Sequence, residues 1–212
     1  MSNPVAPIVP PRYLTHIRLL LQDGRRKLLG LVGPPGSGKS TLALALQGAF
    51  ADVSQVAPMD GFHLTNAELR RLGRDTRKGA PDTFDSAGYV ALLRRLRMQS
   101  DEIVYAPEFH REIEEPVAGA IPIFPHTQLV ITEGNYLLLS QGPWAGVAEL
   151  LDDVWYVEID AALRTQWLTQ RHVRFGRSLH AAIDWVAATD EPNARLVEAT
   201  KGSANLLFQW DD

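Results

Sequence analysis

Apolar residues in the chain follow two patterns, short continuous runs and positions spaced three or four residues apart. Residues 27–32 and 128–132 form nearly continuous apolar runs, which are typical of strands buried on both faces. Ile17 and Leu21 belong instead to a helical repeat, which predicts a first helix over 11–22. Runs and helical repeats alternate along the chain. This order predicts an α/β fold, with a mostly parallel sheet and helices on both of its faces.

The same patterns place the other elements. Further strands are predicted over 53–59, 103–106, 120–124, 154–159 and 204–208. Further helices are predicted over 39–50 and 85–98, and over 160–201 with breaks near Gly176 and Pro192. Residues 65–68, Thr-Asn-Ala-Glu, have the spacing of a capping box and predict a short helix. The length of 212 residues suits one large domain, so we expect a single domain over 1–212.

The composition narrows the range of functions. The chain has 21 basic and 25 acidic residues and a net charge of −4, which argues against general binding of nucleic acid. It has no cysteine, so disulfides and thiolate metal sites are excluded. The apolar runs are too short to cross a bilayer, and residues 1–11 lack the features of a signal peptide. We therefore expect a cytoplasmic protein without membrane insertion.

Residues 33–40 carry the strongest chemical signal, a full phosphate-binding P-loop pattern between a predicted strand and a predicted helix. The predicted nucleotide-binding residues are Gly33, Pro34, Pro35, Gly36, Ser37, Gly38, Lys39, Ser40 and Thr41. Glycines allow backbone N–H groups to turn toward phosphate oxygens, and the N-terminus of the following helix favours the same anion. We expect Lys39 to reach the β- and γ-phosphates and Ser40 to ligate Mg²⁺.

A P-loop is shared by GTPases, ATPases and kinases, so other residues must separate these classes. The chain has no Asn-Lys-x-Asp motif, which argues against a GTPase. Asp60 follows a predicted strand, where a carboxylate can accept the proton of an attacking hydroxyl; a turn-forming Asp-Gly pair is the alternative. His63 either contacts substrate or packs beside the next turn. Glu133 follows the run 128–132 in the Walker B position, where it either holds Mg²⁺ or is an ordinary strand-end carboxylate.

Basic residues cluster around Gly176, at the end of a predicted helix. Arg171, Arg174 and Arg177 lie there, and they predict a lid over about 163–180 that brings positive charge to a transferring phosphoryl group and excludes water. Arginines that face the negative end of the helix dipole are the alternative. Arg171 and Arg174 are the predicted catalytic residues of this lid.

The P-loop and five further segments resemble the P-loop kinase family that groups uridine kinase, phosphoribulokinase and bacterial-type pantothenate kinase. The five segments are residues 59–64, 77–85, 106–109, 133–138 and 171–177, which follow one another in the family's order. Within the family the chain is similar to bacterial proteins named as sugar kinases of fructose transport systems. The resemblance implies a three-layer P-loop NTPase fold with a helical lid.

The resemblance also implies roles for matching positions. Asp60 matches the family's catalytic base and Glu133 its Mg²⁺-associated acid. The residues implied to bind the acceptor are Asp60, His63, Arg77, Lys78, Phe84, Phe109, Arg111 and Asn135. Relatives often carry aspartate at the position of His110, so the chain departs from the family there. Part of the adenine pocket is implied near Asn193 and residues 201–205.

We therefore expect a kinase that uses ATP and Mg²⁺ to phosphorylate a hydroxyl of a small metabolite. A partner-coupled ATPase is the alternative. The complete set of Lys39, Ser40, Asp60 and Glu133 argues against a regulator that only binds nucleotide. The sequence leaves the acceptor open among sugars, nucleosides, pantothenate and related acids, although the basic residues over 70–78 favour an anionic one. It also leaves the oligomeric state open, with a homodimer among the options.

Overall fold

A computed structural model of the chain describes residues 7–98 and 101–210, so the first six residues of the N-terminal segment lie outside it. The helices are α1 (Pro11–Leu20), α2 (Lys39–Ala49), α3 (Asn66–Arg71), α4 (Ser86–Arg97), α5 (Ala161–Arg174), α6 (Leu179–Trp185) and α7 (Glu191–Glu198). The strands are β1 (Lys27–Val32), β2 (Ser54–Val56), β3 (Val104–His110), β4 (Glu115–Ile123), β5 (Leu129–Gly134), β6 (Asp153–Val157) and β7 (Leu206–Phe208). No helix in these two ranges is both long and apolar enough to span a membrane.

Five strands form a parallel central sheet in the order β2-β5-β1-β6-β7. β1 lies in the middle and pairs with β5 on one side and β6 on the other. Every residue of β5 and β6 is buried, as are all residues of β1 after Lys27. Burial on both faces explains why these strands are continuous apolar runs in the sequence, and it confirms the predicted parallel sheet.

Two apolar clusters cover the two faces of the sheet. Leu29 and Leu31 of β1 pack with Ile17 of α1 and with α2, whereas Leu28 and Val32 point to the other cluster, which contains α4. Successive side chains of a strand point to opposite faces, so one strand supplies both clusters. This arrangement confirms the three-layer α/β fold with helices on both faces.

The short strands predicted over 103–106 and 120–124 are the first and last parts of a longer hairpin, and they pair with each other. β3 and β4 pair with each other in antiparallel orientation and form a separate two-stranded sheet. The prediction was short because Pro107 and Pro116 interrupt the strand pattern, since proline lacks the N–H that a ladder requires. The middle of β4 is also exposed and therefore carries no apolar signal.

The predicted strand over 53–59 and the predicted break near Pro192 also need correction. β2 ends at Val56, and a 3₁₀ turn then begins at Met59. Pro192 does not interrupt the helical segment, because it lies in the first turn of α7, where a missing N–H is tolerated. A π-helical turn, Val186–Asp190, joins α6 to α7 instead. The break at Gly176 is correct, since this glycine has a φ of 100° between α5 and α6.

Leu129 is fully buried at the start of β5, where it belongs to the cluster beneath α1 and α2. Leu129→Ala is expected to lower the free energy of unfolding by about 2–5 kcal/mol, because it removes buried apolar area and leaves a cavity. Leu44→Ala is the matched control, since Leu44 is 64% exposed, and it should change stability by less than about 0.5 kcal/mol. Urea unfolding of both variants checks the difference, and equal effects would contradict the assigned core.

Candidate active site

The P-loop lies between β1 and α2, and its backbone needs glycine at several positions. Gly36 and Gly38 have φ values of 81° and 86°, which L side chains rarely adopt. A Cβ atom at Gly33 would lie 2.6 Å from the Ser37 hydroxyl oxygen and 2.9 Å from the Val157 carbonyl oxygen. The loop is therefore tight, and it leads directly into the positive N-terminal end of α2.

Lys39 spans this loop with its side chain. Its ammonium group donates to the carbonyl oxygens of Gly33 and Pro34, at 2.9 and 3.0 Å. Burial lowers the pKa of Lys39 to about 8, although Glu133 and Asp60 partly offset that effect. The hydrogen-bond partners are neutral, so the positive charge is available to an anion bound in the loop.

Ser40 and Glu133 form a pair of oxygen donors beside Lys39. The Ser40 hydroxyl donates to Glu133 Oε1 at 2.9 Å, and Glu133 is buried at the end of β5. Burial, followed by the charge of Asp60, raises the pKa of Glu133. Hydroxyl and carboxylate oxygens are ligands that Mg²⁺ prefers, and Mg²⁺ in kinases needs only one or two protein carboxylates besides phosphate oxygens. The residues present therefore fit a bound Mg²⁺.

Asp60 lies in the 3₁₀ turn Met59–Phe62, which follows β2. The turn packs so closely on β3 that a Cβ atom at Gly61 would lie 2.2 Å from the Pro107 carbonyl oxygen. Burial by itself raises the pKa of Asp60, but the surrounding positive charges outweigh burial and lower it. These charges belong to His63 in its protonated form and to Arg111, Lys39 and Arg171, and the last three remain when His63 is neutral. Asp60 is thus an ionised carboxylate at neutral pH, and Arg111 Nη2 lies 3.3 Å from its Oδ2 atom.

His63 packs between two aromatic rings next to Asp60. The ring centroids of Phe84 and Phe109 lie 4.0 and 4.6 Å from that of His63. His63 Nδ1 lies 2.7 Å from the Asp60 carbonyl oxygen, which can only accept, so Nδ1 carries the proton. Burial lowers the pKa of His63, which favours the neutral ring and leaves Nε2 as an acceptor.

The loop that carries Lys78 is fixed by three side chains from other parts of the fold. The Tyr136 hydroxyl donates to the Gly79 carbonyl oxygen at 2.5 Å, and Asn193 Nδ2 lies 3.4 Å from the same oxygen. Trp144 Nε1 donates to the Pro81 carbonyl oxygen at 3.0 Å. Asn193, which the resemblance places near adenine, therefore contacts the loop of the implied acceptor pocket.

One cleft of about 820 Å³ is lined by Lys39, Ser40, Asp60, His63, Lys78 and Glu133. Of the predicted site residues outside the P-loop, all but Arg77 and Arg174 line it. The Arg77 side chain is 47% exposed and forms an ion pair with Asp82. Arg174 ends α5 and is exposed. The chain spacing that suggested both residues does not show which side of a turn or helix faces the cleft, and the structure places these two outside it.

Arg171 is the arginine of α5 that reaches the cleft. Burial lowers its pKa, while the nearby carboxylates of Asp190, Asp60 and Glu133 oppose the shift. Arg177 also lines the cleft, but its guanidinium carbon lies 3.9 Å from the centroid of the Trp185 ring.

Asp190 and Arg164 are site-forming residues that sequence reasoning missed. Asp190 is buried in the π-helical turn and lies 2.8 Å from His172 Nε2. Arg164 is 2% exposed and donates to Glu191 at 2.6 Å. A Cβ atom at Gly36 would lie 3.3 Å from Arg164 Cγ, so α5 packs directly on the P-loop. The sequence signal that could have identified Arg164 is its position in the same helix as Arg171.

The tryptophans divide between the core and the cleft. Trp144 and Trp155 are buried in the core, as expected for packing residues. Trp167 and Trp185 line the cleft. Residues 201–205 do not line this cleft. Lys201 forms an ion pair with Glu158.

No family model matches the chain, but known proteins are similar to it. The chain is 33% identical to "Putative uridine kinase C227.14" of Schizosaccharomyces pombe, over 90% of this chain and 86% of that protein. It is 36% identical to "ATP-dependent kinase-like protein notR'" of Aspergillus versicolor, over 64% of this chain and 84% of that protein.

A crystal structure of a kinase-named protein is also similar to this chain. The protein described as "putative fructose transport system kinase" from Silicibacter sp. TM1040 matches with a TM-score of 0.85 and 36% identity, over 95% of this chain and 100% of that one. All three proteins are named as kinases or kinase-like, but their names do not agree on a substrate. Together with the P-loop cleft, they show that the chain belongs to the P-loop kinase family of uridine kinase and bacterial-type pantothenate kinase.

Proposed function

We propose that the protein transfers the γ-phosphoryl group of ATP to a hydroxyl group of a small metabolite, with Mg²⁺ as the metal. The observation that carries this proposal is the position of Asp60. Its ionised carboxylate lies in the same cleft as Lys39 and Glu133, at the boundary between the P-loop and the aromatic residues around His63. A nucleotide-binding module without transfer to an acceptor has no need of a carboxylate in this position.

The P-loop side of the cleft is suited to the triphosphate. Backbone N–H groups of the loop and the N-terminus of α2 favour phosphate oxygens, and Lys39 adds a full positive charge. Ser40 and Glu133 would hold Mg²⁺, which supplies further positive charge to the phosphates when bound. These groups orient ATP with its terminal phosphate toward Asp60.

Asp60 would orient the acceptor hydroxyl and accept its proton. A carboxylate with a lowered pKa is a weak base, but phosphoryl transfer passes through a loose transition state in which positioning contributes more than basicity. The Nε2 atom of neutral His63 offers a second acceptor for a hydroxyl group in the same part of the cleft. The aromatic rings of Phe84 and Phe109 would exclude water there.

Arg171 would stabilise negative charge on the transferring group. It is the cation of α5 that shares the cleft with Lys39 and Asp60. The packing of Arg164 and Leu168 on Gly36 fixes α5 against the P-loop. Lid closure would then involve the segment after Phe175, where Gly176 interrupts the helical backbone.

Asp60→Asn should keep ATP binding and lower phosphoryl transfer by about 10²–10⁴-fold, because the amide cannot accept the hydroxyl proton. Acceptor-dependent ADP release measures transfer, and binding of a fluorescent ATP analogue measures affinity. Asp52→Asn, a change at an exposed residue after α2, is the control and should behave as wild type. Full activity of Asp60→Asn would show that the base is assigned wrongly.

Arg171→Ala should lower the turnover number by at least about tenfold, because it removes a cation from the developing charge. Arg174→Ala, three residues further along the same helix, should leave turnover within about twofold of wild type, since its side chain is outside the cleft. Steady-state kinetics at saturating ATP compare the two variants. The reverse order of effects would contradict the assignment of Arg171 as the arginine that acts on the transferring group.

The experiment that tests the function is ADP release from ATP and Mg²⁺ across sugars, sugar phosphates, nucleosides, pantothenate and glycerate. We expect one acceptor class to raise wild-type turnover strongly and to have little effect on Asp60→Asn. A slow rate that no acceptor changes would count against the kinase and in favour of the partner-coupled ATPase.

A further inference from the structure

We propose that the acceptor carries an anionic group, a carboxylate or a phosphate ester, which Lys78 and Arg111 bind. This inference rests on the proposed kinase function and narrows its acceptor class. Both cations line the same cleft as Asp60, together with His63, Phe84 and Phe109.

Lys78 has a positive charge that its hydrogen-bond partners do not neutralise. Its ammonium group donates to Asn66 Oδ1 at 2.7 Å and to the Glu114 carbonyl oxygen at 2.5 Å. Both acceptors are neutral, and within residues 7–98 and 101–210 Lys78 forms no ion pair with a carboxylate. An ammonium has three donors, so one N–H and the full charge are left for a ligand.

Arg111, at the tip of the β3–β4 hairpin, also has N–H donors without a partner in the described chain. Its one hydrogen bond in the described chain runs from Nη2 to Asp60 Oδ2, at 3.3 Å, and its side chain is 37% exposed. A guanidinium has five N–H donors in a planar fork that matches carboxylate and phosphate oxygens. Most of that fork is free to bind an anion.

Both cations lie near the same aromatic ring. Lys78 Nζ lies 5.1 Å and Arg111 Cζ 6.0 Å from the centroid of the Phe109 ring. Both also act on the neighbouring His63 ring, whose pKa burial lowers first and these two charges lower further. Because Arg111 also touches Asp60, an anion held by its fork lies only a few bonds from the hydroxyl that Asp60 orients.

Carboxylates act on both cations without forming an ion pair with Lys78 in the described chain. Burial lowers the pKa of Lys78, and Glu114 and Glu115 oppose that shift. Asp60 pairs with Arg111 in the cleft. Asp75 and Glu114 line it but are exposed, so water and salt screen them more than the partly buried cations. The Glu115 carboxylate accepts from the Asn66 backbone N–H at 3.1 Å and is thereby used in joining the hairpin to α3.

The structure also narrows the anion-binding region that the sequence suggested over 70–78. Arg71 pairs with Glu68, and Arg77 pairs with Asp82. Of the basic residues in this stretch, Lys78 is the one that lines the cleft in the described chain. The preference for an anion therefore depends on one lysine of the loop and one arginine of the hairpin.

Matched pairs of acceptors test the inference with the full-length protein. The pairs are glycerate and glycerol, pantothenate and pantothenol, gluconate and glucose, and fructose 6-phosphate and fructose. In ADP-release assays we expect an anionic member to give a kcat/KM at least about tenfold above that of its neutral partner. The first three pairs detect a carboxylate and the last detects a phosphate ester, so the responding pair identifies the anion.

Variants then test whether Lys78 is responsible. Lys78→Met should raise the KM for the anionic acceptor about tenfold or more and leave the KM for ATP unchanged, and Lys78→Arg should restore much of the loss. Arg70→Gln removes a charge from an exposed position in the same basic stretch and is the matched control. Thermal unfolding of each variant shows whether the loop is still folded.

The possible outcomes separate the two claims. Equal or better turnover with the neutral members, or an unchanged acceptor KM in folded Lys78→Met, would overturn the anionic acceptor while the kinase function stands. Turnover that a nucleoside raises and no member of any pair raises would overturn the anionic acceptor alone. Turnover that neither the pairs nor the nucleosides raise would overturn the proposed function, and the inference with it.

Discussion

The parallel register between β1 and β5 is the constraint on which the site depends. It places Leu31 opposite Glu133 and Val32 opposite Gly134. The P-loop therefore begins, and Glu133 lies, at the same carboxyl end of the sheet. The hydrogen bond between Ser40 and Glu133 is a direct consequence. A shift of one residue would turn the Glu133 side chain to the opposite face of the sheet. Continuous burial of both strands makes such a shift costly, so the core that stabilises the protein also aligns the groups that would bind Mg²⁺ and phosphate.

The acceptor side of the cleft is built differently, from turns and a hairpin outside the central sheet. The close contact between Gly61 and Pro107 joins the Asp60 turn to β3, and the hydrogen bonds of Tyr136 and Asn193 to Gly79 fix the loop before Phe84. These contacts involve side chains and backbone that are far apart in the sequence. A family can therefore keep the nucleotide side and change the acceptor side, which agrees with relatives whose names share the kinase and differ in the substrate.

The sequence placed Lys39 and Glu133 next to strands with strong apolar patterns, and the structure brings both residues into the cleft. It did not predict which member of a local cluster faces the cleft. Arg174 and Arg77 were as plausible as Arg171 and Lys78 from spacing alone, and the difference depends on packing between distant elements. Asp190 was missed because a π-helical turn has no periodic pattern that distinguishes it from an ordinary helix. The hairpin was underestimated for a related reason, since its exposed, proline-containing strands lack alternation.

The fate of the γ-phosphate distinguishes phosphoryl transfer from ATP hydrolysis. ATP labelled in its γ-phosphoryl group can be incubated with the protein, Mg²⁺ and a mixture of hydroxyl-bearing metabolites, and the products followed by phosphorus NMR. We expect the label to appear in an organic phosphate ester, because Asp60 is proposed to activate a hydroxyl in the same cleft as the P-loop. Label found only in inorganic phosphate would contradict it, since the protein would then hydrolyse ATP with water as its acceptor.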